Sequence, residues 1–132
     1  MRALSVELRY LIYVTVLMGL MWVPYIVAHI ATVGPVLGLG FPDKQDMPGW
    51  AARLKRAHYN LVENLPLFAV VAIVGEFRGI HTATTAACAM VFFWARVAHP
   101  IAMMSSVWGA RTATFTAGWI AAVVYLVTVL VA

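Results

Sequence analysis

The chain has 132 residues and a formal net charge of +4, yet only 11% of its residues are charged while 64% are hydrophobic. Soluble domains are about half apolar and a quarter charged, so water is excluded as the main solvent of this chain. Its nine lysines and arginines form no cluster interleaved with aromatics, which excludes a nucleic-acid partner, and the length accommodates a single domain of four antiparallel helices over residues 1–132 and little else.

Three stretches carry no Asp, Glu, Lys or Arg: Tyr10 to Pro42, Gly79 to Ala95, and Thr112 to Ala132. Each is near or above the roughly 17–25 residues that cross a bilayer as a helix. The first helix is expected over residues 5–33, long enough to tilt or to extend beyond the membrane. It is too long for the core of a cleavable signal peptide. Pro24 removes one backbone donor from it, and helix packing is the favoured reason for that proline. Gly34-Pro35 and the run Gly38-Leu39-Gly40-Phe41-Pro42 end the helix, and Asp43 to Pro48 reads as a polar loop.

The second helix is expected over residues 49–75, with Trp50 at the depth of an interfacial aromatic. Its apolar part, Asn64 to Gly75, is too short to span unless the helix begins near Trp50. That start places Asn60 and Glu63 within the membrane or at its edge. Pro66 is expected to bend this helix or to open its hydrogen bonding, and Gly75 to Gly79 forms the next turn. The third helix is expected over residues 81–104, with an Ala- and Thr-rich start that lets neighbours approach closely. The fourth is expected over residues 110–131. Lys44, Arg53, Lys55, Arg56 and Arg111 fall on one side of the membrane with Arg96 close by, against Arg2, Arg9 and Arg78 on the other. The positive-inside rule then turns the first and third loops to the cytoplasm and leaves both termini outside.

At about 100° of turn per residue, Arg53, Arg56, Asn60, Glu63 and Asn64 fall within about a third of the second helix's circumference. This polar stripe suits a helix that turns it toward protein, and Lys55 and His58 point elsewhere. Alternating helix directions gather His29, Arg53, Arg56, His58, Asn60, Glu63, Asn64, Arg96, His99, Arg111 and Thr112 into one layer. Several arginines beside the single carboxylate of Glu63 leave positive charge over, and an anionic ligand is its complement. Three bland alternatives compete with that expectation. Arginines at helix ends, and Lys55 above all, snorkel to headgroups; Glu63 pairs with Arg56 or Arg96 to fix packing; and His58, His29 and His81 act as packing or interfacial residues. Carboxylates and amides at membrane depth weigh toward function because they are expensive there. Cys88 lies in an apolar run and reads as a small buried hydrophobe. No His, Cys and carboxylate spacing matches a structural metal site, and no serine, histidine and carboxylate are placed together as a triad.

The order Arg53-x-x-Arg56-Ala57-His58-x-Asn60-x-x-Glu63-x-x-Pro66-x-Phe68, then Arg96-Val97-Ala98-His99, then Arg111-Thr112, resembles the family of membrane-associated proteins in eicosanoid and glutathione metabolism, MAPEG. The resemblance covers nearly the whole chain and looks most like the short bacterial branch. It implies an all-α, integral membrane four-helix bundle, assembled as a homotrimer in the inner membrane, with glutathione as cosubstrate bound between subunits near the cytoplasmic face. By matching positions, Arg56, Asn60 and Glu63 would hold the glutathione backbone, Glu63 taking its amino group. Arg53 would support that layer, Arg96 and His99 would contribute from the third helix, and the catalytic pair Arg111 and Thr112 would lie nearest the sulfur. The implied activity is that of a transferase or peroxidase-like enzyme on lipophilic small molecules, with no metal. The rivals are a non-catalytic lipid- or anion-binding module and a structural membrane subunit. The chain departs from the prostaglandin E synthase branch at Tyr59, where that branch has an arginine, and at Met103, where it has a tyrosine.

Overall fold

Backbone amides in hydrocarbon have to be satisfied within their own segment, and each charge-free run meets that demand as a helix. A computed structural model describes residues 3–41 and 44–132. Arg2, counted for orientation, and Pro42 and Asp43, at the start of the polar loop, lie outside the described residues. Helix α1 spans Val6–Val33, α2 is a short turn over Pro35–Gly38, and α3 spans Gly49–Phe77. Helices α4 and α5 span Ala83–Ser105 and Ala110–Val131. All but α2 are long and apolar enough to cross a membrane, so α3, α4 and α5 are the second, third and fourth spanning helices.

Local chemistry sets the ends. The Ser5 hydroxyl caps α1 by accepting from the Leu8 amide, and Thr82 with Thr85 forms a reciprocal capping box at the start of α4. Gly109 starts α5 in the left-handed region, at φ 76°. The α2 turn follows from Pro35 at its first position and from Gly38, where an added Cβ would come within 2.9 Å of the Ile30 backbone. A sequence that merely stops α1 there also folds its tail back onto it. The helices α1 and α3 continue through Pro24 and Pro66.

Long-range bonds establish the alternating directions. At one end His29 bonds the Asp46 carbonyl, Tyr25 bonds His58, and Arg53 donates to the Met104 carbonyl. At the other end Ser5 donates to Glu76, Thr85 donates to Glu7, and Arg78 donates to the Val129 carbonyl. Helices α3 and α4 form the central pair, with α1 against both on one side and α5 against both on the other. The core is thin and built from small residues that let backbones approach, among them Ala51, Ala57, Ala72, Ala89 and Ala122. Its largest feature is a stack of Phe68 on Phe92, centroids 4.2 Å apart, with Tyr125 edge-on to Phe68. Outside, Val16, Leu20, Val27, Val70, Trp94 and Leu130 are exposed, which suits lipid rather than water.

Candidate functional site

At the end of the bundle where α3 and α5 begin, the N-terminal turns of both helices, the end of α4 and the α4–α5 connection enclose an open cavity of about 790 Å³. Arg53 and Arg56 reach it from α3, Arg111 and Thr112 from α5, and Ala102 and Met103 from α4. Ser106 to Gly109 close one side. Among the described residues no acidic side chain lines it, and its three guanidinium groups suit an anion by charge and by fork geometry. Arg56, Arg111 and Thr112 are exposed, whereas Arg53 is half-buried and held by its 3.3 Å bond to the Met104 carbonyl.

The remaining expected residues lie elsewhere. On α3 the polar stripe splits, because it flanks the buried face of Leu54, Ala57, Leu61 and Leu65 rather than opposing it. Asn60 and Asn64 remain half-buried while Arg56 and Glu63 turn to the surface. Among the described residues Glu63 pairs with no arginine; the ion pairs present both involve His81. Asn60 lies 3.2 Å from His99 Nε2, and His99, 2% exposed, is bonded through Nδ1 to Thr114 on α5. Arg96 is 1% exposed, and none of its guanidinium nitrogens has a hydrogen-bond partner among the described residues. Its cation lies between the rings of Phe92 and Phe115, 5.0 and 5.3 Å from their centroids.

Of the two departures noted above, Tyr59 is on the outer surface, 52% exposed, with the Lys55 ammonium over its ring. It is not part of the cavity wall, whereas Met103 is. His58 takes a packing role through Tyr25. His29 is 1% exposed, and its Nδ1 reaches the Asp46 carbonyl and ties α1 to the following loop. Cys88 is buried at 7% exposure.

A second polar group, at the far end of the bundle, escaped the sequence reading. Glu7 is 3% exposed and accepts the Thr85 hydroxyl at 2.5 Å, while Glu76 accepts the Ser5 hydroxyl at 2.6 Å. His81 lies between them, Nδ1 3.5 Å from Glu7 and Nε2 3.7 Å from Glu76. Its two nitrogens face different carboxylates, so the three do not converge on a point as metal ligands do. The arrangement clasps α1, α3 and α4 together. A signal existed: two of the chain's five acidic residues flank spanning segments at helix ends that meet in an antiparallel bundle. Thr114 and Phe115 carried no such signal, since their importance lies wholly in what they touch on α4.

A comparison with curated proteins found no match. A model of the MAPEG family matches residues 10–131, a span that takes in most of α1 and all of α3, α4 and α5. The chain therefore belongs to the MAPEG family, as an integral, multi-pass membrane protein of the group associated with glutathione and eicosanoid metabolism.

Proposed function

We propose that the arginine cavity binds glutathione and that the protein uses it on lipophilic molecules arriving from the bilayer, as a transferase or a peroxidase-like enzyme. The observation that carries this is the convergence of Arg53, Arg56, Arg111 and Thr112 on one cavity, with no carboxylate among the described residues that line it, in a chain of this family. Glutathione brings two carboxylates and a thiol. A thiol with a pKa of about 8.5 is mostly protonated at neutral pH, and a guanidinium beside the sulfur favours the thiolate, each tenfold gain in its ionisation constant corresponding to about 1.4 kcal/mol. Arg111 and Thr112, in the first turn of α5, are the groups proposed to stand nearest that sulfur. The thiolate then attacks an electrophilic carbon, forming a C–S bond as a leaving group departs or as the electron pair of an activated double bond takes up a proton. On a hydroperoxide it attacks one oxygen, the O–O bond breaks to release an alcohol, and a second glutathione converts the resulting sulfenic acid to the disulfide and water. Neither route uses a protein nucleophile.

Arg56, Asn60 and Glu63 hold the glutathione backbone in this proposal, Arg53 supports them, and Arg96 and His99 contribute from α4. Arg56 and Glu63 turn away from their own subunit's core, which supports a homotrimer whose neighbours share the ligand. The basic end of the bundle is assigned to the cytoplasmic side of an inner membrane, with both termini periplasmic. Calorimetry of the purified protein with glutathione tests the proposal. Wild type should bind with measurable heat, and Arg56→Ala and Glu63→Ala should each weaken binding at least tenfold. No heat in any detergent or nanodisc ends it.

A lipid or other anionic headgroup in the same cavity is the second reading, favoured by Trp108 and Val107, which are 97% and 60% exposed at its rim in the manner of membrane-interface residues. Native mass spectrometry separates the two: a retained anionic lipid that glutathione does not displace supports the headgroup.

A further inference from the structure

A hydrogen-bonded chain crosses three helices next to residues that line the cavity, Asn60 one turn after Arg56, His99 one turn before Met103 and Thr114 adjacent to Ala113. Asn60 Nδ2 on α3 lies 3.2 Å from His99 Nε2 on α4, and His99 Nδ1 lies 3.0 Å from Thr114 Oγ1 on α5. The Thr114 oxygen is also 2.8 Å from the Ala110 carbonyl and 3.1 Å from that of Arg111. Its direction follows from the donor inventory. A carbonyl only accepts, so the single hydroxyl proton of Thr114 goes to Ala110 or Arg111. The hydroxyl oxygen then accepts from His99 Nδ1–H, which leaves the lone pair of the neutral ring on Nε2. That lone pair accepts an Asn60 amide proton. The Asn60 side-chain oxygen is left over, and the bond from Asn64 goes to the Asn60 backbone carbonyl, not to this oxygen.

We propose that Thr114 is a positioning residue: acting through His99, it orients the Asn60 amide so that an oxygen rather than a nitrogen is offered to the ligand. The site thereby selects a group that donates a hydrogen bond at that point, an amide N–H or an ammonium. The identity of the ligand rests on the glutathione proposal; the orientation of the ring and amide does not.

The test uses the full chain in nanodiscs with ¹⁵N-labelled histidine, the His99 signals being identified by their loss in His99→Gln. Wild type and Thr114→Ser are expected to show His99 protonated at Nδ1. Thr114→Val, which removes the acceptor, and Asn60→Asp, which removes the donor, are each expected to move the proton to Nε2. In parallel, Thr114→Val should weaken glutathione binding about tenfold, the scale of one buried hydrogen bond, and Thr114→Ser should restore it to within about twofold. If wild type shows Nε2–H or a doubly protonated ring, the positioning role is overturned. It is overturned equally if glutathione binds and Thr114→Val changes neither ring nor affinity, while the glutathione proposal stands. If no glutathione binds but the proton moves in Thr114→Val and not in Thr114→Ser, the positioning role stands and the glutathione proposal falls.

Discussion

Among the described residues, Arg96 has the most demanding environment. Its guanidinium is 1% exposed, without a hydrogen-bond partner among the described residues, and held between two phenylalanine rings. Cation–π contact returns up to about 2 kcal/mol for a desolvated pair, less than burying an unpaired charge costs. Replacing a buried ionic group by a well-packed apolar one is often neutral or stabilising by about 1–4 kcal/mol. Arg96→Met is therefore expected to leave the unfolding midpoint in detergent unchanged or raised while glutathione affinity falls. A lower midpoint with unaltered binding would make Arg96 a packing residue only. At the far end the balance is reversed. Glu7 is 3% exposed and depends on the Thr85 hydroxyl, so Thr85→Val removes a donor from a buried carboxylate. A loss of about 1–3 kcal/mol is expected in denaturant titration, with glutathione binding untouched because the clasp lies at the opposite end of the bundle.

Helices α4 and α5 meet at a seam where Gly118 faces Arg96, and a Cβ added there would lie 3.1 to 3.2 Å from the guanidinium. An alanine raises helix propensity by about 1 kcal/mol, but the guanidinium would have to give way while packed against two rings. Overpacking costs about 1–3 kcal/mol, so Gly118→Ala should lower the midpoint on balance, and the double variant with Arg96→Met should recover it. Three of the spanning helices were legible in the sequence as long runs without charge, and α3 as an apolar run that reaches spanning length only with the polar turns before it. The α2 turn was not, since the four residues Pro35–Gly38 have no period to detect. The same contrast holds for the site. Arg53, Arg56, Arg111 and Thr112 were legible as a group because they lie in or near first turns that an antiparallel bundle brings to one end. Asn60 and His99 meet as well, but the side chain that completes them, Thr114, looks like any small polar residue on an apolar helix. The outward turn of Glu63 was equally hidden, for periodicity sets which residues share a face of α3 and says nothing of which neighbour that face meets.

Taken whole, the molecule is apolar around its girth and differently charged at its two ends. One end gathers Lys44, Lys55 and the cavity arginines Arg53, Arg56 and Arg111; the other holds the Glu7, Glu76 and His81 clasp with Arg9 and Arg78. Orientation in a membrane is decided by lysines and arginines in short loops and scarcely by acidic residues, so the acidic clasp carries little weight against Arg9 and Arg78. The larger basic count nevertheless lies at the cavity end, and that end is expected in the cytoplasm. Single cysteines placed in a Cys88→Ala background decide the matter in intact cells. Ala132→Cys, at the exposed end of α5, should react with a membrane-impermeant maleimide, and Ser106→Cys, exposed beside the cavity, should react only after permeabilisation. The opposite pattern would open the cavity to the outside. It would separate the arginines from the reduced glutathione pool of the cytosol, and the glutathione proposal would then lack its cosubstrate even with every residue in place.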